Sequence, residues 1–174
     1  MRRIASVLLL AGAAALLAAC AHAPTAGKIA AAPFTLHEPM PGLFTSGQPA
    51  ADEWARLHRR QGVRTVINLR LPQELPGRDE AAEVRAAGMT YIEIPVAGSR
   101  EIDEANARRL HDALAAAMGP VLIHCASGNR VGGLLALDQA RFDQLDAQAA
   151  LELGRAAGMT GSEIRVKEVL GIAH

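Results

Sequence analysis

One short stretch restricts the fold of this chain more than any other. The apolar run Val121–His124 (VLIH) is followed directly by Cys-Ala-Ser-Gly-Asn and then by a segment with helical periodicity. A short apolar, β-rich run predicts a buried strand. The small residues that follow predict a tight turn, in which Gly128 permits a positive φ. The sequence therefore predicts a strand, a turn and a helix in direct succession.

The alternation of strands and helices extends through most of the chain. Strands are predicted at residues 34–36, 43–46, 63–69, 90–95 and 121–124, and helices at residues 50–61, 79–87, 103–118, 131–140, 148–157 and 162–170. This order predicts an α/β fold, a three-layer sandwich with a central, mostly parallel sheet and helices on both faces. In the last helices we expect only packing roles for the apolar residues Leu145, Leu151, Leu153, Ile164, Val166 and Leu170.

The first 19 residues resemble a bacterial lipoprotein signal peptide. Two arginines precede an apolar stretch, residues 4–17, which is too short to span a bilayer comfortably and ends in Leu-Ala-Ala-Cys. We expect Cys20 to be lipidated, residues 20–33 to form a tether and residues 34–174 to form a single domain. Ala21 after the cysteine implies an outer-membrane location facing the periplasm. A plain secretory signal that happens to contain a cysteine is the alternative.

The composition excludes several classes of partner. The chain has 18 basic and 18 acidic residues and only five aromatic ones, so it has neither the charge nor the stacking groups of a nucleic-acid-binding protein. Its six histidines show no ligand spacing beside carboxylates or cysteines. We therefore expect no metal and no cofactor, no nucleic acid, and membrane contact through the lipid anchor alone.

Cys125 and Arg130 are the chemically significant residues of the predicted turn. The helix after the turn directs its N-terminal amides towards it, and an arginine presents a planar fork that suits a tetrahedral oxyanion. The same positive field favours the thiolate, which is the nucleophilic form of cysteine. If Cys20 is acylated, Cys125 is the only free thiol and no intramolecular disulfide is possible. The alternative interpretation of Cys125 is a small buried apolar residue.

Four segments together carry a family resemblance. HCASGNRVG, FTSGQPAADEW, RTVINLR and the IPV of YIEIPV resemble the bacterial dual-specificity-phosphatase-like group of the protein tyrosine phosphatase superfamily, close to the phosphatase-like domain of β-lactamase-hydrolase-like proteins. The resemblance covers roughly residues 40–140. It implies a cysteine-phosphatase-like sandwich that hydrolyses phosphate monoesters of a protein or small molecule. It makes Cys125 the nucleophile that forms a phosphocysteine. The implied phosphate-binding groups are Arg130 and the backbone amides of residues Ala126, Ser127, Gly128 and Asn129.

The residues around the turn each have more than one possible role. It implies that His124 orients the thiol and favours its ionisation, although a core histidine with satisfied hydrogen bonds is an equal alternative. No aspartate directly follows IPV, where the general acid is expected. Glu101 and Asp103 are the nearby candidates, and Asp103 also suits the N-cap of the next helix. Arg70 either reaches the site or pairs with Glu74, and the sequence leaves both possibilities open.

Two further departures from the phosphatase pattern support competing functions. Cys125 and Arg130 are separated by four residues rather than five, and Val131 stands where a hydroxyl residue commonly assists departure of the thiolate. The four-residue spacing is also that of rhodanese-type sulfurtransferases, in which the cysteine carries a persulfide and no general acid is needed. The chain lacks the Gly-His-Ile-x-Gly-Ala segment of rhodaneses. A non-catalytic anion-binding module is the third possibility.

Overall fold

The structure is a computed structural model that describes residues 34–172. The predicted signal peptide, the predicted lipidation site Cys20 and the predicted tether lie outside the described residues. Between residues 34 and 172, every helix is too short or too polar to cross a lipid bilayer.

Strands and helices alternate along the described chain. The first half contains β1 (Leu36–Met40), β2 (Leu43–Ser46), α1 (Glu53–Arg56), which continues as a π-helical turn (Leu57–Gln61), β3 (Thr65–Asn68), a 3-10 turn (Pro72–Glu74) and α2 (Glu80–Ala86). The second half contains β4 (Thr90–Glu93), a 3-10 turn (Ser99–Glu101), α3 (Glu104–Ala116), β5 (Val121–His124), α4 (Asn129–Arg141), α5 (Ala147–Ala156) and α6 (Glu163–Leu170).

The five strands form one sheet in the order β1-β2-β5-β3-β4. Strands β2, β5, β3 and β4 are parallel, and only β1 is antiparallel to its neighbour. His124, the last residue of β5, pairs with Ser46 on one side and with Asn68 on the other. The carboxyl ends of the three central strands therefore lie level, and Cys125 is the next residue beyond that edge.

Both faces of the sheet are covered, which confirms the predicted α/β fold. Ile123 belongs to the core on the face covered by α3 to α6, together with Leu134 and Leu151. Leu122 points to the opposite face, where Trp54 packs beside it. Successive strand residues alternate between the two faces, so β5 contributes to both cores.

Some sequence predictions were displaced or wrong. The first strand begins at Leu36 rather than at residue 34, and α4 begins at Asn129, two residues earlier than predicted. Ile164 is 65% exposed instead of packed in the core. It lies two positions before the buried Val166 on α6, and two residues turn a helix by more than half a revolution, so the two side chains face opposite ways.

Candidate active site

Cys125 begins the turn that joins β5 to α4. Its side chain is buried, and it is a free thiol. Gly128 caps the N-terminus of α4 with a φ of +89°, the left-handed conformation that the sequence predicted for it. The Gly128 N–H donates a hydrogen bond to the Cys125 Sγ over 3.1 Å. A backbone amide at the positive end of a helix therefore contacts the sulfur directly, an arrangement that stabilises a thiolate.

The turn is supported by the segment that follows β2. Gly47 forms an isolated antiparallel bridge with Ser127, and the Gln48 N–H donates to the carbonyl oxygen of Ala126 over 3.2 Å. A Cβ atom at Gly47 would lie 3.0 Å from the Ala126 carbonyl oxygen, so a larger residue would disturb this contact. The turn from Cys125 to Arg130, hereafter the Cys125 loop, is thus shaped by residues about 80 positions earlier in the chain.

Arg130 is held by a bidentate ion pair with Glu74. Its Nη1 and Nη2 donate to the two carboxylate oxygens of Glu74 over 2.7 Å each, and Nη1 also donates to the Val96 carbonyl oxygen over 2.7 Å. The hydrogen bonds that Arg130 donates to Glu74 raise the pKa of Arg130 against the opposing effect of burial, and the nearby Cys125 adds to the increase. In return, the Arg130 hydrogen bond, opposed by burial and aided by the Leu71 N–H, lowers the pKa of Glu74 to about 2.

Arg70 lies beside the same carboxylate. Its Nε is 3.4 Å from a Glu74 carboxylate oxygen, and its Nη2 donates to the Glu74 carbonyl oxygen. Its Nη1 donates to the Gln48 Oε1 over 2.6 Å. Of the two possibilities left open by the sequence, Arg70 therefore adopts the pairing with Glu74, and it also links Glu74 to the segment that supports the Cys125 loop.

His124 lies behind the loop in a fully buried position. Its Nε2 is 3.0 Å from an Oε1 of Glu80, which is itself 2% exposed. The ring is turned so that neither ring nitrogen meets hydrogen-bond geometry, so the contact is a close polar contact rather than an aligned hydrogen bond. Sequence reasoning missed Glu80. The available signal was its position four residues before the buried Val84 on α2, which places both on the inward helix face.

The two candidate general acids have structural contacts. Asp103 is the N-cap of α3, where its side chain accepts a hydrogen bond from the Asn106 N–H over 2.8 Å. Glu101 accepts from the Ala97 N–H over 2.6 Å. Among the hydrogen bonds and ion pairs of residues 34–172, neither carboxylate contacts the Cys125 loop. The capping role of Asp103 is thus confirmed, whereas its catalytic role stays a prediction.

Asn129 and Val131 face the protein rather than the mouth of the loop. The Asn129 Oδ1 accepts hydrogen bonds from the Thr160 N–H over 2.8 Å and the Ser162 N–H over 3.0 Å. The Asn129 side chain therefore holds the connection between α5 and α6 through its Oδ1. Val131 is fully buried in the core.

The structure brings together one group of potential metal ligands that the sequence did not predict. His111, Asp138 and Asp143 present ligand atoms within 4.8 Å of one another. They border a cavity of about 350 Å³ lined also by Val121, at the start of β5 and so at the opposite end of that strand from Cys125. Burial raises the pKa of Asp138, and the Gln139 amide donates to both aspartates. Because internal hydrogen bonds satisfy these carboxylates, we assign no metal to them.

The chain is similar to proteins of known family. An aligned stretch of 120 residues, 67% of this chain, is 40% identical to the beta-lactamase hydrolase-like protein of Xylella fastidiosa (strain Temecula1), of which it covers 27%. The corresponding identity to the protein of that name from Agrobacterium fabrum is 34%, with 67% of this chain and 27% of that protein covered. The chain thus matches about a quarter of the length of these curated relatives.

Similar solved structures include TpbA of P. aeruginosa. Its TM-score is 0.63 at 27% identity, with 80% of this chain and 84% of TpbA covered. A second TpbA structure, a complex with pTyr, has a TM-score of 0.62 at 26% identity and covers 78% of this chain and 82% of TpbA.

The match to a family covers the sheet and the Cys125 loop together. Residues 36–142, more than half of the chain, match the family described as "Beta-lactamase hydrolase-like protein, phosphatase-like domain". This range runs from β1 to the end of α4 and includes Cys125, Arg130, Glu74 and Glu80. The chain therefore belongs to the phosphatase-like domain family of the beta-lactamase hydrolase-like proteins.

Proposed function

We propose that the chain is a cysteine-dependent phosphatase that acts on phosphate monoesters. The observation that carries the proposal is the contact of the Gly128 N–H with the Cys125 sulfur at the start of α4. In the proposed reaction the thiolate attacks phosphorus, a P–S bond forms and the bond from phosphorus to the ester oxygen breaks. Water then hydrolyses the phosphocysteine. The pTyr bound in a TpbA structure supports a phosphorylated substrate.

Arg130 retains donors for the phosphate although Glu74 occupies part of its fork. Glu74 and Val96 together take three of the five guanidinium N–H groups, two on Nη1 and one on Nη2. The remaining two, on Nε and Nη2, form the adjacent edge of the planar group. In the proposed mechanism this edge and the amides of residues 126–130 bind the equatorial oxygens as charge develops on them.

Protonation of the leaving oxygen is the step that calls for a general acid. Asp103 remains the candidate general acid, but its carboxylate already caps α3. A substrate with a good leaving group, such as an aryl phosphate, needs little help from an acid. We therefore expect aryl phosphates to be turned over faster than alkyl phosphates.

Hydrolysis of an aryl phosphate by the purified full-length chain tests the proposal. Cys125→Ser keeps the anion-binding groups but supplies a poorly ionised nucleophile, so we expect it to bind tungstate and lose turnover. Arg130→Lys keeps the charge and loses the fork, and we expect a loss of roughly 10²–10³ in kcat, as when one oxyanion donor is removed. Wild-type protein that neither binds the anion nor hydrolyses the ester would refute the proposal.

Sulfur transfer is the second candidate, and the length of the loop favours it. Four residues separate Cys125 from Arg130. The two candidate general acids, Asp103 and Glu101, already accept hydrogen bonds from backbone amides. In sulfur transfer the thiolate attacks the outer sulfur of thiosulfate and releases sulfite, and the resulting persulfide sulfur passes to cyanide as thiocyanate. No step needs a general acid. Thiocyanate formation by wild type but not by Cys125→Ser, without aryl phosphate hydrolysis, would establish this function instead.

We also propose that the chain is a lipoprotein anchored through Cys20 in the outer membrane and facing the periplasm. The support is the Leu-Ala-Ala-Cys sequence at the end of a short apolar run that follows two arginines. Globomycin, which blocks the lipoprotein signal peptidase, should cause a larger precursor to accumulate. Normal processing in its presence would contradict the proposal.

A further inference from the structure

Glu80 is a buried carboxylate that the proposed reaction does not use. Its Oε2 accepts a hydrogen bond from the Gln48 amide, and its Oε1 lies 3.2 Å from the Tyr91 hydroxyl and 3.0 Å from the His124 Nε2. Burial opposes its ionisation, but the contacts with His124 and Gln48 and the charge of Arg78 outweigh burial and lower the pKa of Glu80. An ionised carboxylate only accepts hydrogen bonds, so donors are required at both oxygens.

Two neighbours of Glu80, His124 and Gln48, connect it to the Cys125 loop. His124 directly precedes Cys125, so the contact at its ring holds the beginning of the loop. Gln48 is the second route, because its backbone N–H donates to the Ala126 carbonyl oxygen. Its side-chain orientation is determined by its partners, with Oε1 facing Arg70 and the amide nitrogen facing Glu80.

We propose that Glu80 is a positioning residue for the Cys125 loop. By holding His124 and Gln48 together, it keeps the loop in the shape in which the Gly128 N–H and Arg130 face the sulfur. The inference rests on the proposed function only in taking Cys125 as the nucleophile, and it applies equally to phosphate and sulfur transfer. Glu80 does not contact the reacting atoms and acts through its two partners.

The hydrogen-bond pattern gives the proposal a specific genetic test. In Glu80→Gln the new amide group places an N–H₂ either against the Gln48 amide or against the His124 ring and the Tyr91 hydroxyl, so one route is broken. In the double variant Glu80→Gln/Gln48→Glu the donor and the acceptor between residues 48 and 80 are exchanged, while the 3.1 Å hydrogen bond from the Gln48 amide to the Pro49 carbonyl oxygen is lost. The amide of residue 80 donates to the carboxylate at residue 48, which also accepts from Arg70. The Oε1 of residue 80 keeps the hydrogen bond from the Tyr91 hydroxyl and the close polar contact with His124.

The pH profile of Cys125 alkylation by iodoacetamide reports the shape of the loop without requiring turnover. A Cys20→Ser background leaves Cys125 as the only thiol of the chain. Lost contacts to sulfur disfavour the thiolate, so we expect the alkylation rate of Glu80→Gln to fall about tenfold near neutral pH and to match wild type at high pH. We also expect kcat to fall roughly 10–100-fold for whichever substrate the wild type turns over, aryl phosphate or thiosulfate. The charged or titratable groups around the loop and Glu80 are the same in both proteins. They are Arg130 from α4, Glu74 from the 3-10 turn after β3, His124 from β5, Arg70 from the segment after β3, Arg78 from the segment before α2, Glu83 from α2, and Tyr91 and Glu93 from β4.

The double variant and a control on the same helix decide the outcome. We expect the exchange to restore the wild-type alkylation profile. Glu83→Gln should leave that profile unchanged, because Glu83 pairs with Arg78 and Trp54 and not with His124 or Gln48. A folded Glu80→Gln protein with the wild-type profile, or a double variant without recovery, would overturn the proposal.

The role of Glu80 can still be tested if Glu80→Gln does not fold or if the wild type shows no turnover. If Glu80→Gln does not fold, Gln48→Ala provides the test, since Gln48 is only partly buried and its loss removes one route alone. A shift of its alkylation profile in the same direction supports the proposal, and a wild-type profile overturns it. If wild type turns over neither aryl phosphate nor thiosulfate, the proposed function fails, whereas the alkylation comparison still decides the role of Glu80.

Discussion

Replacing Glu74 by glutamine should destabilise the protein in a pH-dependent way. The carboxylate lies between two arginines and makes two 2.7 Å hydrogen bonds to Arg130. Its pKa is lowered from 4.5 to about 2. A difference of that size corresponds to about 3 kcal/mol of stabilisation at neutral pH, and partial exposure of the Glu74 side chain (26%) reduces the expected value to about 2 kcal/mol.

The sign of the pH dependence follows from the lowered pKa. A carboxylate whose pKa is lower in the folded state stabilises the protein fully above its unfolded-state value of 4.5. The contribution is lost as the pH falls towards about 2, because the proton then binds the unfolded chain first. The difference in unfolding free energy between wild type and Glu74→Gln should therefore be constant near neutrality and shrink to about half near pH 3.

Urea unfolding measured by tryptophan fluorescence provides the assay. Trp54 is the only tryptophan and is 1% exposed, so its emission reports unfolding directly. Glu168→Gln is a matched control, since Glu168 pairs with Arg165 at 3.4 Å and is half exposed. Such surface pairs contribute about 0–1 kcal/mol, so the control should change stability little. Equal stability of Glu74→Gln and wild type at neutral pH, or a difference that does not shrink in acid, would refute the reasoning.

Three further predictions concern packing, ionisation and the nucleophile. A Cβ at Gly132 would collide with the Gly154 carbonyl oxygen, so Gly132→Ala should lower the unfolding free energy by about 3 kcal/mol in urea titrations. Gly98→Ala should be neutral, because no atom lies within 4 Å of the added carbon. Burial, with Glu80 nearby, raises the pKa of Tyr91, which is the only tyrosine of the chain. Its phenolate absorbance should therefore appear above the usual pH and coincide with alkaline unfolding. A titration near pH 10 in the folded protein would contradict this. In the Cys125→Ser variant, tungstate affinity within about threefold of wild type is expected by calorimetry, and a loss of binding would show that the thiolate itself holds the anion.

The succession of adjacent residues in the sequence predicted the central part of the site. The strand Val121–His124, the cysteine after it, Gly128 with its positive φ and the helix that follows were all predicted from adjacent residues. Strand propensity, glycine conformation and helix capping depend on near neighbours, so their signals survive in a single sequence. The α/β layering was predicted for the same reason, because the pattern of apolar residues within each element indicates which face is buried.

Contacts between distant segments decided how the site is held. Arg130 binds Glu74, which lies 56 residues earlier in the chain, and Gln48 donates a hydrogen bond to Glu80, which lies 32 residues later. The resemblance gave a role only to the backbone amide of Asn129, whereas the structure shows its side chain bound to the connection between α5 and α6. A charged or amide side chain carries no local sign of its partner, because its pairing depends on which elements the sheet brings together. Only after β2, β3 and β5 align their carboxyl ends do Gln48, Arg70 and Cys125 become neighbours.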